Sequence, residues 1–283
     1  MKTYSISNLE IYSGIRAHTL RAWEKRYGLF SPQRSPGNFR YYDIVDLAHL
    51  LKLCLLSKSG FRISELSVMD IQTLDDHLDH LVEKKEIQVR EINKLVLSML
   101  APDPEDFELI LKNAVGTWGI EETITAIILP FIERVRIFSC RNCNYELDFV
   151  VTALRQKLIF GIEQTGPVKQ QDKIVLFFLP EGEHYDLFLL YIKFLAKSSG
   201  MRTLYLGTNI SQEKVKAVIA RKQPDFLVTY ISPKQKFKLD EITAHLNELE
   251  CPPGFLITHH QSQPGHAKDP RFVSYADVMS RLP

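Results

Sequence analysis

Apolar positions recur at helical spacing through most of the first 163 residues and then give way to short unbroken apolar runs. Ser5 to Ser13 reads as a short helix with Ile6, Leu9, Ile11 and Tyr12 as its apolar positions, ended by Gly14. His18 to Tyr27 reads as a second helix with Leu20, Trp23 and Tyr27 turned inward, and Gly28 stops it. Asp43 then caps a helix through Ile44, Leu47, Leu50, Leu51, Cys54 and Leu55. Gly60 to Leu66 adds a turn with Ser64 as its cap. Apolar residues at Ile71, Leu74, Leu78, Leu81, Val82, Val89, Ile92 and Val96 predict a helix over 73–100, interrupted in pattern by Lys85. Pro102 and Pro104 close it and Asp103 caps the next. Helices over 107–115, 121–138 and 145–162 follow, so a four-helix bundle is expected.

A polar stretch from Gln164 to Asp172 reads as a linker. Beyond it, strands over 173–179, 203–206, 226–231, 254–258 and 271–274 alternate with helices over 184–199, 212–222 and 239–249 and a last one from Tyr275. Strand-helix alternation with short links predicts a parallel, doubly wound α/β sheet. Ligands on such sheets sit outside the carboxyl ends of the strands, here 180–185, 207–210, 232–236 and 259–265. Three regions are therefore expected: an all-α head over 1–72, a helical bundle over 73–165 and a Rossmann-like α/β domain over 172–283.

Composition narrows the classes. Of 283 residues, 45% are hydrophobic and 24% charged, the mix of a globular chain and not of a disordered or fibrous one. Lys and Arg number 35 against 34 Asp and Glu, so no chain-wide cationic coat exists. Four Cys make no disulfide framework, which points to a reducing cytoplasm. The first residues lack the apolar core of a secretory signal, and no run of about eighteen apolar residues is expected to span a membrane.

Locally the charge is far from balanced. Arg16, Arg21, Lys25, Arg26, Arg34 and Arg40 stand against one acid, Glu24, giving residues 14–40 a net charge of +5. Such a patch attracts phosphates and releases counterions, and Arg offers a planar fork to phosphate or guanine. Helix, short Gly turn, helix is the layout of a helix-turn-helix. The following Ser31 to Tyr42, with two Pro, Gly37-Asn38 and an aromatic-basic end, suits a hairpin wing laid beside a DNA backbone. Ile6, Gly14, the run Thr19 to Leu29, Pro32, Arg34, Asn38, Arg40 to Tyr42 and Gly60 to Ile63 together resemble the winged helix-turn-helix of the MerR transcription factors over residues 4 to 70. The resemblance implies a second helix in the major groove and a wing on the backbone. It assigns Arg21 to base or phosphate contact, His18, Thr19 and Arg26 to the same helix, and Arg40 and Tyr41 to the wing, with Arg34 a further candidate. Trp23 and Tyr27 are expected to pack in the core, and Glu24 to order a neighbouring Arg. It further implies binding to double-stranded promoter DNA as a homodimer or homotetramer, with repression or activation undecided.

The order of head, bundle and doubly wound domain resembles the cobalamin-dependent, light-responsive MerR-type repressors, with local echoes in Pro180 to Leu187 and Leu204 to Thr208. In that family the first loop reads Glu-x-His-x-x-Gly, its His ligating cobalt and its Gly admitting the corrin. Aligning Glu183 with that Glu puts Tyr185 at the His position and Phe188 at the Gly position, with His184 one residue out of register. One residue near a helix start turns a side chain by about 100°, and a phenol titrating near pH 10 is a poor ligand. The Gly-Gly behind the nucleotide tail is replaced by Thr258-His259-His260, and Trp118 and Glu146 do not match the family's cap residues. Ligation of cobalamin is therefore read as lost, and no cofactor is expected; cobalamin held by shape alone is the alternative. Glu183, His184, Tyr185, Gly207, Thr208, Ser232, His259 and His260 remain as a candidate pocket for a small-molecule or protein effector.

Cys140 and Cys143 form a CxxC with no second ligand pair, read as a turn between helices. His77 with His80, and His259, His260 and His266, read as polar surface, so no metal site is expected. No phosphate loop, nucleophile elbow or zinc signature points to an enzyme. The reading is a DNA-binding transcriptional regulator. A cobalamin-binding light or metabolite sensor and a corrinoid-dependent enzyme are the two competing classes.

Overall fold

The computed structural model describes residues 3–135, 148–166, 173–184, 186–230, 254–259, 272–274 and 281, with the backbone alone over 255–259 and 272–274. The chain divides into two compact units, Met1–Ala153 and Leu154–Pro283.

The first unit starts with α1 (Ile6–Ser13), where Ser5 and Asn8 exchange side-chain and backbone hydrogen bonds in a reciprocal cap. Gly14 ends the helix at φ 74°, a left-handed conformation that costs glycine nothing. The chain then enters α2 (Ala17–Tyr27), whose first amide donates to Glu10 Oε2 of α1 at 3.2 Å. A carboxylate at a helix N-terminus is favoured by the exposed N–H groups there, and here it also fixes the two helices to each other. Gly28, at φ 63°, closes α2. A short antiparallel hairpin follows, β1 (Gln33–Arg34) on β2 (Arg40–Tyr41), and Tyr42 pairs through its backbone with Tyr4.

Helix α3 (Ile44–Lys58) begins at an Asp43–Asp46 reciprocal cap and buries Leu47, Leu50, Leu51, Leu53, Cys54, Leu55 and Leu56. A helix apolar on nearly all sides must be covered on more than one. Accordingly α3 packs on α1, on α4 (Ile63–Leu66), on α5 (Ile71–Asp79) and on α6 (Lys84–Leu100). Ser64, expected as a cap, lies inside α4; Arg62 takes the cap position and its N–H donates to the Glu65 carboxylate at 3.2 Å.

The expected single helix over 73–100 is two, α5 and α6, with residues 80–83 between them. The apolar phase explains the break: Leu74 and Leu78 are buried, Val82 is exposed, and buried apolar positions resume only at Ile92. Arg90 Nη1 of α6 donates to the Leu78 carbonyl at 2.9 Å, adding to the Leu81 N–H that reaches the same oxygen at 3.4 Å. The next two expected helices are present and meet at a kink at Gly119. Helix α7 (Pro104–Glu122) starts at an Asp103 cap with Pro at its first position, breaks at Gly119, passes through a π-helical turn (Thr123–Ile128) and continues as α8 (Leu129–Val135). Pro130 has no N–H to give and its ring crowds the carbonyl four residues back, so the wider π spacing just before it relieves the conflict.

Pro104–Val135 is long and apolar enough by length and composition to cross a membrane, with a mean hydropathy of 1.3 in its most apolar window, although it holds no unbroken run of about eighteen apolar residues. The break at Gly119 and the burial of Phe107, Ile124, Ile127 and Phe131 inside the unit are features of a core helix. Phe107 stacks on Phe131 and Phe149, each with ring centroids 5.6 Å apart. Arg134 Nη1 donates to Asn93 Oδ1 at 2.6 Å, and Asn93 Nδ2 reaches the Leu51 carbonyl at 3.4 Å, joining α8, α6 and α3. Helix α9 (Asp148–Gln164) carries the chain from the first unit into the second.

Among the described residues the second unit holds five parallel strands: β3 (Ile174–Phe178), β4 (Arg202–Tyr205), β5 (Phe226–Tyr230), β6 (Gly254–His259) and β7 (Phe272–Ser274), in spatial order β4-β3-β5-β6-β7. Helix α10 (Leu187–Ser198) leads from β3 to β4 and α11 (Gln212–Lys222) from β4 to β5, on the other side of β3, a pair of crossovers that the usual right-handed connection sets on opposite faces. Leu176 and Phe178 pack with Val215 and Ile219 of α11 and with Leu227, so the alternate residues Val175 and Phe177 turn to the other face. Helix α10 starts at Leu187, three residues later than expected, which leaves Glu183 and Asp186 in the preceding loop. The CxxC at Cys140, the helix over 239–249 and the one after Tyr275 lie outside the described residues.

Two outcomes follow from this packing. Phe107→Ala should lower unfolding free energy by ~3–5 kcal/mol in urea denaturation, because it empties the centre of an aromatic trio. Burial pushes the Cys54 thiol up to about 12. The folded state therefore keeps a proton that the unfolded chain releases above about pH 8.5, and this contribution to stability is lost as pH rises beyond that value. Cys54 should stay unlabelled by a thiol reagent at pH 8 until urea is added, as read by peptide mass spectrometry.

Candidate nucleic-acid interface and ligand edge

Helix α2 separates its residues by period. Leu20 is buried, while His18, Arg21, Ala22, Lys25 and Arg26 are exposed. Positions 18, 21, 22 and 25 follow the i, i+3, i+4, i+7 spacing of one helix face, so Arg21 and Lys25 share an exposed stripe with His18 and Ala22. Thr19, Trp23 and Tyr27 are half-buried, and the Arg26 guanidinium lies 5.3 Å from the Tyr27 ring centre.

The hairpin brings a second set. Arg34 pairs in register with Arg40, and Gln33 with Tyr41. Ser35 N–H donates to the Phe39 carbonyl at 3.0 Å, and Arg34 Nη1 donates to Asn38 Oδ1 at 2.5 Å, shaping a tip from which Phe39 projects 75% exposed. Arg34 is exposed, and Arg40 and Tyr41 are half-buried. Helix and hairpin meet at Glu24, whose Oε1 accepts Arg40 Nε and whose Oε2 accepts the Tyr42 hydroxyl, both at 3.0 Å. Burial and the Glu24 carboxylate hold the Tyr42 hydroxyl above the usual phenol range. Glu24 thus orders an Arg, as expected, and also anchors Tyr42, which sequence reasoning missed.

All seven residues read from the sequence as DNA contacts lie on α2 or on the hairpin that meets it through Glu24. Lys25 and Phe39 belong to the same surfaces and were not among them. The spacing of Lys25, seven residues after His18, is the signal that places it on the stripe.

At the carboxyl edge of the sheet, the loops after β3 and β4 are bound to each other. Pro180 bridges Ile210, the Gly182 N–H donates to Asn209 Oδ1 at 2.9 Å, and the Asn209 N–H donates to the Glu183 carbonyl at 3.2 Å. The strand order reverses between β3 and β5, and there Phe188 and Tyr230 are 5% and 7% exposed with ring centroids 5.9 Å apart. Glu183 is buried beside them, and burial together with its carboxylate pushes the Tyr230 hydroxyl up to about 12. Asp186, also buried, accepts Arg155 Nε of α9 at 2.8 Å and the Tyr205 hydroxyl at 2.9 Å, while Lys193 sits 5.1 Å from the Tyr205 ring centre.

Of the candidate effector residues, Glu183, His184, Gly207 and Thr208 lie on these two joined loops. Glu183 is buried, His184 exposed, and Gly207 and Thr208 half-exposed. His259 ends β6 with its backbone in register with Ser274. Tyr185, Ser232 and His260 lie outside the described residues. An open cleft of about 480 Å³ lies instead at the amino edge, lined by Ile174, Lys197, Met201, Arg202 and Lys222 among others. Lys197 donates there to the Ile162 carbonyl at the end of α9, so that cation serves a helix terminus. Among the described residues no group of three or more His, Cys, Asp or Glu could hold a metal ion.

Comparison with known proteins agrees with this division. Residues 4–70 match the MerR HTH family regulatory protein model. The chain is 23% identical over 243 residues to the HTH-type transcriptional repressor CarH of Myxococcus xanthus, covering 80% of this chain and 78% of that protein. It is 24% identical over 226 residues to the HTH-type transcriptional repressor CarA of the same organism, covering 79% and 74%. In fold it resembles the Methanosarcina barkeri monomethylamine corrinoid protein, with a TM-score of 0.56 at 12% identity over 68% of this chain and 96% of that one. Residues 4–70 are thus similar to the MerR HTH regulatory proteins, most of the chain is similar to two HTH-type transcriptional repressors, and the fold over 68% of the chain is like that of the corrinoid protein.

Proposed function

We propose that this regulator binds duplex promoter DNA as a homodimer or higher oligomer, with α2 in the major groove and the β1–β2 hairpin as a wing on the backbone. The observation that carries the reading is the exposed stripe holding His18, Arg21 and Lys25, with Arg26 exposed next to it, beside a hairpin bearing Arg34 and Arg40. Such cations gain from counterion release wherever phosphates lie, and an Arg fork that reaches a base edge adds sequence preference. Thr19 and Tyr41 supply neutral donors beside them. Helices α6 to α9 act as the bundle between head and sensor-like domain, and the site of action is the cytoplasm. The chain works as a regulator and not as an enzyme.

The α/β domain biases this binding through an effector or through self-association, without cobalamin. The fold suggests that group, and the residues at its edge do not fit it. Phe188, at the position where the resembling family has Gly, is buried and packed on Tyr230 in the crevice where a ligand of such a sheet would lie. His184 is solvent-exposed and one residue away from the ligating position. The competing reading, a cobalamin-binding sensor, draws on the corrinoid-protein fold and on the similarity of most of the chain to the repressors CarH and CarA.

Two experiments test these statements. Arg21→Ala and Arg40→Ala should each weaken binding to the chain's own upstream duplex about tenfold. They should also reduce the slope of log K against log salt by about 1 for each phosphate no longer neutralised. Unchanged affinity in both variants would contradict the interface. Full-length protein mixed with adenosylcobalamin in the dark should leave a gel-filtration column without corrin absorbance. A co-eluting corrin whose spectrum changes on illumination would favour the sensor reading.

A further inference from the structure

Glu24 is the only acid among residues 14–40, and it sits on the helix that carries the cationic stripe. A carboxylate facing DNA would be repelled by phosphate. Here both of its oxygens are turned to the hairpin, Oε1 to Arg40 Nε and Oε2 to the Tyr42 hydroxyl, each at 3.0 Å. The two partners differ in kind. Tyr42 is 2% exposed, stacks edge-on against Phe30 and is bonded through its backbone to Tyr4, so it is a fixed post. Arg40 is a long side chain, 34% exposed, with many rotamers of its own. Glu24 spans the two and is itself only 16% exposed, so the pair is partly shielded from water and salt.

The bond to Nε fixes the plane of the Arg40 guanidinium and does not use the Nη1 and Nη2 donors, the pair that can meet a phosphate as a fork. We infer that Glu24 is a positioning residue for DNA binding: it touches no nucleic acid, and it presents Arg40 to the backbone at a set angle from α2. The inference rests on the DNA-binding reading above. It adds a dependence that the reading does not need, namely that the whole contribution of Glu24 passes through Arg40.

A double-mutant cycle on the full chain tests it. Glu24→Ala should weaken binding to the upstream duplex about tenfold in the wild-type background and by no more than about twofold in an Arg40→Ala background. Glu24→Gln keeps an acceptor for Arg40 and a partner for Tyr42, so its affinity should stay within about threefold of wild type. The Arg40 Nε–H resonance should be protected from exchange in wild type and in Glu24→Gln, and exposed in Glu24→Ala. Equal losses from Glu24→Ala in both backgrounds, or no loss in either, would overturn the inference while leaving promoter binding by the wild type intact. If Glu24→Ala does not fold, the Gln variant and the resonance still decide: loss of protection without loss of affinity overturns the inference. Absence of salt-dependent binding by the wild type would instead overturn the DNA-binding reading itself.

Discussion

Like charges held close together repel, and the head of this protein keeps six cations within 27 residues against a single acid. Every other feature of the head answers that constraint. Burial of Leu20 and the covering of α3 on several sides supply the apolar energy that holds the cationic elements in place. The two carboxylates that matter, Glu10 and Glu24, each join one element to the next. Glu10 belongs to α1 and receives the first amide of α2, while Glu24 belongs to α2 and receives a guanidinium and a phenol from the hairpin side. The acids that hold the head together are thus directed inward, and the exposed face of α2 is left cationic.

The α/β domain meets a different constraint. A parallel sheet whose strand order reverses creates a crevice at its carboxyl edge, and something must fill it. At that edge in this chain Phe188 packs on Tyr230, and Glu183 is buried nearby. Asp186 then ties α9 and β4 to that edge through Arg155 and Tyr205. A fold shared with a corrinoid protein does not by itself carry the ligand, because the site depends on a few side chains that the sheet tolerates in many forms.

Much of this was legible in the sequence where one residue type had one physical use. Gly14 and Gly28 marked the ends of α1 and α2 because only left-handed turns fit there, and Asp43 and Asp103 marked helix starts because each offers a side-chain acceptor. The strands of the second unit announced themselves as apolar runs buried on both faces, such as Ile174 to Phe178. Legibility failed where tertiary partners decided. The break after α5 is accompanied by a bond from Arg90, twelve residues on, to the Leu78 carbonyl, and the expected helix over 121–138 opens as a π turn just before Pro130. For the site, charge counting found the patch and the lone acid, but the Tyr42 hydroxyl as its second partner required the hairpin to be folded. The out-of-register His184 and the misfit of Phe188 were both visible in the loop's spacing; that Phe188 packs on Tyr230 was not, since 42 residues separate them in sequence.

The central claim is that a presented cluster of cations recognises a duplex. Fluorescence anisotropy of the full chain with its own upstream duplex and with a scrambled duplex of equal length, across a salt series, tests it most directly. The account predicts a steep fall of log K with log salt on both duplexes and tighter binding to the upstream one at every salt concentration. A flat salt response, or equal affinity for the two sequences, would contradict it.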